Sequence, residues 1–189
     1  MRAAHALRGA ALLALTFAAA ACDAARVEAN GVAPANVQAA AAQSLPLPAL
    51  TGRVVDAANL IPSDREQALT RRLEALEREA GPQFVVVTVP TLGGAPIEEF
   101  GLALGRSWRV GDAQRNDGVL LVVAPNERRV RIEVGTGLER VLTNQLCQEI
   151  LDRHVLPRFR DSDMVAGIEA GSAAIVARLR ASAMRERAS

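Results

Sequence analysis

The sequence predicts an α/β fold: a three-layer α/β/α sandwich with a mixed sheet of about four strands and helices on both faces. One observation is that short β-branched runs alternate with amphipathic helical segments along the chain. A second is a candidate antiparallel hairpin over about 117–134, in which the apolar run Val119–Ala124 is typical of a strand covered on both faces. The residues after it alternate between apolar and charged side chains, which is typical of a half-buried strand.

The first half of the domain is expected to contain two strands and two helices. Arg53–Asp56 is predicted as a short strand, and Ser63 is expected to begin a helix with Glu66 completing a capping box. Gly81 and Pro82 should end that helix. A central strand over 84–89 and a helix from Pro96 to Trp108 follow. The apolar stripes of the two helices are Leu69, Leu73, Leu76 and Ala80, then Ile97, Phe100, Leu104 and Trp108.

The second half begins with a polar loop over 111–116 and the hairpin, and two helices are predicted after it, over about 143–155 and 163–180. Pro125, Asn126 and Glu127 are expected to form the hairpin turn. That turn would place Leu121 near Arg131 and residue 117 near residue 135. The acidic start of one strand and the glycine-rich exit of the other would then share one edge of the sheet, where we expect the functional site.

The first fifty residues predict export and lipid anchoring. Residues 1–21 have a charged start, an apolar stretch and small residues before Cys22, which together resemble a bacterial lipoprotein signal peptide. We expect lipidated Cys22 to hold the protein on a membrane, facing the periplasm, and residues 22–49 to be an Ala-rich tether that cannot fold alone. An ordinary signal peptide that leaves Cys22 as a free thiol is the alternative. The domain is predicted over 50–181, with a disordered tail over 182–189.

Composition excludes several classes of function. The chain has 22 basic and 21 acidic residues and only 3% aromatic side chains, so nothing indicates a nucleic-acid partner. Arg140 stands where the third glycine of a dinucleotide loop would be, so no organic cofactor is expected. Cys147 lies in an apolar helical stripe, which favours a buried thiol over a nucleophile. His154 at a helix end favours a helix-terminal cation over a base, so the catalytic residues stay unassigned.

Two segments of the hairpin region carry a family resemblance. Asn116-Asp117-Gly118-Val119-Leu120-Leu121 and Arg131-Ile132-Glu133-Val134-Gly135-Thr136-Gly137-Leu138-Glu139 resemble the signature of the TPM-domain family. Further pieces fit in the same order: Val54-Val55-Asp56, Gln83 to Val87, Trp108, Val141-Leu142-Thr143 and Pro157-Arg158-Phe159. The resemblance implies the same three-layer fold, an acidic cleft with divalent-metal binding, and acid phosphatase activity in some members.

The candidate site is a set of acids near the strand ends. Asp56, Asp117 and Glu139 are the expected ligands of Ca²⁺ or Mg²⁺, because these ions prefer oxygen ligands from loops. The supporting residues are Asn116, Arg131, Glu133, Gly135 and Gly137. Asn144 departs from the family pattern, which usually has an acid there. The alternative is that Asp56 and Asp117 cap turns, while Glu139 pairs with an arginine such as Arg131.

Two functions are consistent with these observations. The first is a membrane-tethered binding or accessory module that recognises an envelope or membrane protein and acts in membrane-protein maintenance, a role that the family resemblance implies. The second is a metal-assisted acid phosphatase, since carboxylates with a metal ion can polarise a phosphoryl group.

Overall fold

The computed structural model describes residues 47–189, so the predicted signal peptide and Cys22 lie outside the described residues. The strands are β1 (Val54–Asp56), β2 (Gln83–Thr88), β3 (Gly118–Ala124) and β4 (Arg129–Val134), and the helices are α1 (Ser63–Ala80), α2 (Ile97–Trp108), α3 (Asn144–Ile150), α4 (Leu156–Arg160) and α5 (Met164–Ala188). Within residues 47–189, no helix is long and apolar enough to cross a membrane.

The four strands form one mixed sheet in the order β1-β2-β3-β4. The first three strands are parallel, and β4 runs antiparallel to β3. Residues on alternate sides of these strands belong to two separate cores. One core contains α1 and α5, and the other contains α2. The predicted three-layer α/β/α architecture is therefore confirmed. The strands β1, β2 and β3 lie side by side in chain order, but α1 and α2 cover opposite faces of the sheet. Of the two crossovers, β1-α1-β2 and β2-α2-β3, one therefore has the uncommon left-handed sense.

The hairpin register differs by one residue from the prediction. Leu121 pairs with Ile132 and Val122 pairs with Arg131. The reason is the length of the turn, which has four residues instead of three. Arg128 closes it in the left-handed region, with φ at 53° and its N–H donated to the Pro125 carbonyl over 3.1 Å. Arginine adopts this conformation infrequently, so nothing in the sequence indicated that Arg128 is a fourth turn residue.

Helix ends account for three further corrections. Ser63 starts α1 without a side-chain capping bond, because Pro62 occupies the N-cap position. The single helix predicted over 143–155 is α3 followed by a wider, π-helical turn over Leu151–Val155. Residues 182–188, expected as a disordered tail, continue α5. There Arg187 donates a hydrogen bond to the Glu79 carbonyl on α1, which ties this extension to the domain.

The packed domain also begins earlier than residue 50. Leu47 packs against the α2 core, and the Pro48 carbonyl accepts a 2.9 Å hydrogen bond from the indole nitrogen of Trp108. The last residues of the expected tether are therefore part of the folded unit. The N–H of a packed tryptophan usually has a hydrogen-bond acceptor, and this segment supplies it for the partly buried Trp108.

Candidate functional site

The loop over residues 110–118 connects α2 to β3 and is held in one conformation by its own polar groups. One carboxylate oxygen of Asp112 accepts the backbone N–H groups of Gln114 at 2.9 Å and Arg115 at 3.0 Å. These two hydrogen bonds lower the pKa of Asp112 below its usual value, and the bond from the Arg115 N–H has the larger effect. Asn116 then occupies the left-handed region at φ 49°, a conformation that asparagine tolerates.

Asp117 is the buried residue to which other polar groups of this loop are bonded, and only 6% of its surface is exposed. One of its carboxylate oxygens accepts the Asp112 backbone N–H at 2.8 Å, and the other accepts the Arg115 guanidinium at 2.8 Å. The side-chain bond to Asp117 raises the pKa of Arg115. Both oxygens of this acid are therefore used inside the loop, as the turn-capping alternative predicts.

The glycines after β4 allow the 110–118 loop to pack directly on the strand exit. Gly135 donates to the Gly118 carbonyl at 2.8 Å, and Gly137 donates to the Asn116 carbonyl at 3.1 Å. A Cβ atom at Gly135 would overlap the Asn116 carbonyl oxygen, and one at Gly137 would overlap the Arg115 carbonyl oxygen. The sequence predicts these glycines as supporting residues of a metal site. The close neighbour is instead the backbone of the loop.

A cleft of about 500 Å³ opens beside this loop, between the second half of α2 and the end of β4. Its lining is apolar at Leu102, Leu120 and Val134, with charged and polar groups around it. Those groups are Arg106, Arg109, Asp112, Asn116, Glu133 and Thr136. An apolar cleft with a few charged groups of both signs is the usual form of a binding site.

Glu133 and Arg131 lie on the face of β4 that α2 covers. The Arg131 guanidinium donates to Glu133 over 2.7 Å and lies 3.8 Å from Glu98 at the start of α2. Glu133 packs so closely on α2 that a Cβ at Gly101 would lie 3.4 Å from its carboxylate. Of the predicted supporting residues, Glu133, Asn116 and Gly135 line the cleft, whereas Arg131 and Gly137 are not among its lining residues.

The structure does not bring the three predicted metal ligands together. Asp56 ends β1 and pairs with Thr88 at the carboxyl end of β2, while Gly118, next to Asp117, pairs with Gln83 at the amino end of β2. Because β1, β2 and β3 are parallel, Asp56 at the end of β1 and Asp117 just before β3 lie at opposite ends of the sheet, about 20 Å apart along the strand direction. The prediction that Asp56 and Asp117 share a site was wrong because it did not take the parallel direction of these strands into account.

Asp56 and Glu139 have separate surroundings. The Asp56 carboxylate accepts the backbone N–H groups of Leu60 at 3.1 Å and Ile61 at 2.7 Å, and it also accepts the Thr88 hydroxyl. It therefore caps the turn before α1. Glu139 is exposed, just past the short 3₁₀ turn over Thr136–Leu138. The expected pair between Glu139 and Arg131 is also not formed, since Arg131 contacts Glu133 and Glu98.

The donor set consequently does not fit a Ca²⁺ or Mg²⁺ ion shared by Asp56, Asp117 and Glu139. These ions take six or more oxygen ligands around one point, and two of the three carboxylates already accept backbone and side-chain donors. Among residues 47–189, no group of three or more His, Cys, Asp or Glu side chains is placed to hold a metal ion.

Four charged or polar residues of the cleft were not predicted as site residues from the sequence. They are Arg106, Arg109, Asp112 and Thr136. Arg109 ends α2 in the left-handed conformation, with φ at 50°. The signal in the sequence was Trp108-Arg109-Val110-Gly111, in which a glycine soon after the apolar stripe indicates the end of the helix.

Comparison with known proteins identifies the family. The TPM domain matches residues 54–178, which is most of the chain. The chain belongs to the TPM domain family. A search of curated proteins gave no match.

Solved structures agree with this assignment. The N-terminal domain of a protein from P. gingivalis is 37% identical, with a TM-score of 0.66, and the match covers 71% of this chain and 85% of that one. The N-terminal domain of cg2496 protein from Corynebacterium glutamicum is 15% identical, with a TM-score of 0.53 and coverages of 69% and 82%. BA42 protein from Bizionia argentinensis is 14% identical, with a TM-score of 0.56 and coverages of 64% and 81%. The last two show likeness of fold alone.

Proposed function

We propose that this TPM domain is an envelope-facing binding module, anchored to a membrane through lipidated Cys22, and that the cleft beside the 110–118 loop is its recognition site. The partner is a protein of the envelope or membrane, and the role is accessory, in membrane-protein maintenance. The observation that carries the proposal is the construction of the cleft, which has an apolar floor, arginines on the α2 side and acids on the other side. It lies beside a loop whose polar groups are bonded to each other.

Preorganisation supports binding at this cleft. Asp112 and Asp117 are engaged within the loop, so the loop does not have to order itself when a partner arrives. Arg106 and Arg109 are exposed at the rim, where charged side chains contribute to partner selection and to the rate of association. Leu102 beside them is 43% exposed and is one of three large hydrophobic residues exposed within residues 47–189.

The second candidate is a phosphomonoester hydrolase, and one feature favours it. Arg106 and Arg109 both line the cleft, and guanidinium groups suit phosphoryl oxygens. Of the residues that line the cleft in the described part of the chain, Thr136 has the only hydroxyl, and none is a cysteine or a histidine. Catalysis would therefore require Thr136 or a bound metal as the source of the nucleophile, whereas binding requires neither.

Site-specific photo-crosslinking of the full chain in intact envelopes tests the binding proposal. A benzophenone side chain replaces Leu102 in the cleft or Arg72 on α1, which covers the opposite face of the sheet. We expect a discrete protein adduct from position 102 and none from position 72. Equal adducts from both positions, or none from position 102, would remove the cleft as the recognition site.

A phosphatase assay on the purified protein separates the second candidate. Hydrolysis of p-nitrophenyl phosphate is measured with Mg²⁺, with Ca²⁺ and with a chelator. The binding proposal expects no turnover above a blank in any of these conditions. Turnover that is abolished by Thr136→Val, with the melting temperature unchanged, would establish the hydrolase instead.

A further inference from the structure

The outer edge of β4 is an open strand edge. Within residues 47–189, β3 is the sole strand that pairs with β4. Gly135 donates to the Gly118 carbonyl, and paired residues of an antiparallel ladder alternate between bonded and non-bonded positions. The N–H and C=O groups of Val130, Ile132 and Val134 therefore point away from β3. Open edges of this kind are templates for pairing with another strand.

A groove gives access to this edge. Its volume is about 470 Å³, and Val130, Arg131 and Ile132 contribute to its lining. The start of α2 forms one wall, with Glu98, and α3 forms the other, with Gln148. An approaching strand would therefore meet β4 between a helix on each face, as the inner strands of the sheet do.

The sequence of this edge is complementary to itself. Residues 130–134 read Val-Arg-Ile-Glu-Val, which is symmetric in its apolar positions about Ile132 and opposite in charge on either side. We propose that the occupant of the edge is β4 of a second copy of this chain, so that two domains form a symmetric dimer with one continuous sheet. A strand on its own two-fold axis meets itself in antiparallel orientation, so the contact closes at two copies.

Charge selects one register for this pairing. With Ile132 opposite its own copy, Arg131 faces Glu133 of the second chain, and the reverse contact is made by symmetry. The outward groups of the three apolar residues then form about six hydrogen bonds between the copies. A pairing centred on Arg131 would place Arg131 opposite its own copy, and a pairing centred on Glu133 would place Glu133 opposite its own copy. Like charges directly opposite each other are destabilising.

The charged pair is already positioned on one face of the strand. Arg131 and Glu133 contact each other over 2.7 Å, with 36% and 21% of their side chains exposed. Two copies would bring both pairs together as a network of alternating charges on the α2 side. On the other face, the apolar side chains of residues 130, 132 and 134 would continue the α1 and α5 core.

Sedimentation equilibrium of the full chain, in a density-matched detergent with a reducing agent, tests the proposal. The expected result is a reversible monomer–dimer equilibrium. Arg131→Glu and Glu133→Arg should each weaken the dimer by about tenfold, since two like-charge contacts replace two favourable ones. The double variant Arg131→Glu/Glu133→Arg should restore the dimer.

The matched control is Arg129→Glu, which has the same charge change on the same strand but faces Gly135 of the second copy in this register. It should leave the dissociation constant within about twofold of the parent value. Thermal melts of each variant separate a loss of association from a loss of folding. A monomer at all concentrations, or a double variant that dimerises no better than the single ones, would overturn the proposal.

Discussion

Replacing Gly135 by alanine tests whether the packing of the strand exit against the 110–118 loop holds the site together. The new Cβ would overlap the Asn116 carbonyl oxygen and lie 2.9 Å from its carbon, well inside ordinary contact distance. Neither neighbour is a side chain that can rotate away, so the loop must retreat. The bond from Gly137 to Asn116 and that from Gly135 to Gly118 would then lengthen or break.

The expected cost follows from those contacts. A net loss of about 1 kcal/mol for each bond, with the penalty of buried groups left without partners, lowers the free energy of unfolding by about 2–4 kcal/mol. That is a large part of the total stability of a typical domain. For a domain of this size the melting temperature should fall by roughly 5–15 °C.

Urea unfolding followed by circular dichroism measures this change. Gly52→Ala is the matched control, because a Cβ there meets only the Val54 carbonyl, at 3.9 Å. Its free energy of unfolding should stay within about 0.5 kcal/mol of the parent value. If Gly135→Ala is as stable as Gly52→Ala, the close approach of the loop does not matter, and the reasoning is refuted.

Four other changes have defined outcomes. Asp56→Ala removes the acceptor of two backbone N–H groups and a hydroxyl, so chemical denaturation should show a loss of about 2–3 kcal/mol; an unchanged midpoint would contradict its capping role. Burial raises the pKa of Cys147 to about 11, so iodoacetamide labelling of the folded protein should stay slow at pH 9. The thiol ionises at a lower pH in the unfolded protein than in the folded protein, so the free energy of unfolding should fall as the pH rises from about 9 to 11. A free energy of unfolding that stays constant over this range would refute the prediction. Trp108→Phe deletes the bond to Pro48 and should cost about 1 kcal/mol by the same denaturation assay; no loss would mean that residues before 50 add nothing. Cys22→Ala should move the protein from membranes to the soluble envelope fraction, and retention with normal processing would exclude lipid anchoring.

The layer order and the hairpin could be predicted from the sequence because they depend on local periodicity. The apolar run of β3 and the alternation of β4 each identify a strand and its buried face without knowledge of the rest of the chain. The register was wrong by one residue, since it depended on the left-handed conformation of Arg128, which arginine rarely adopts.

The candidate site was predicted less well, because its residues are joined by tertiary geometry. The 116–118 and 135–137 segments were expected to meet, and they do. Asp56 was placed with Asp117 because both flank strands, but the parallel direction of β1 and β3 separates them. Arg106 and Arg109 reach the cleft because α2 lies over β4, an arrangement that no local pattern encodes.

The charges at the cleft rim provide the most direct test of the proposed recognition site. Photo-crosslinking from position 102 in intact envelopes is compared between two double variants, Arg106→Glu/Arg109→Glu at the cleft and Arg71→Glu/Arg72→Glu on α1. Both change the net charge equally, and all four arginines are exposed. The yield of the adduct should fall by about tenfold or more in the cleft variant and should be unchanged in the α1 variant. Equal loss in both variants would mean that net charge, and not the cleft, directs the protein to its partner.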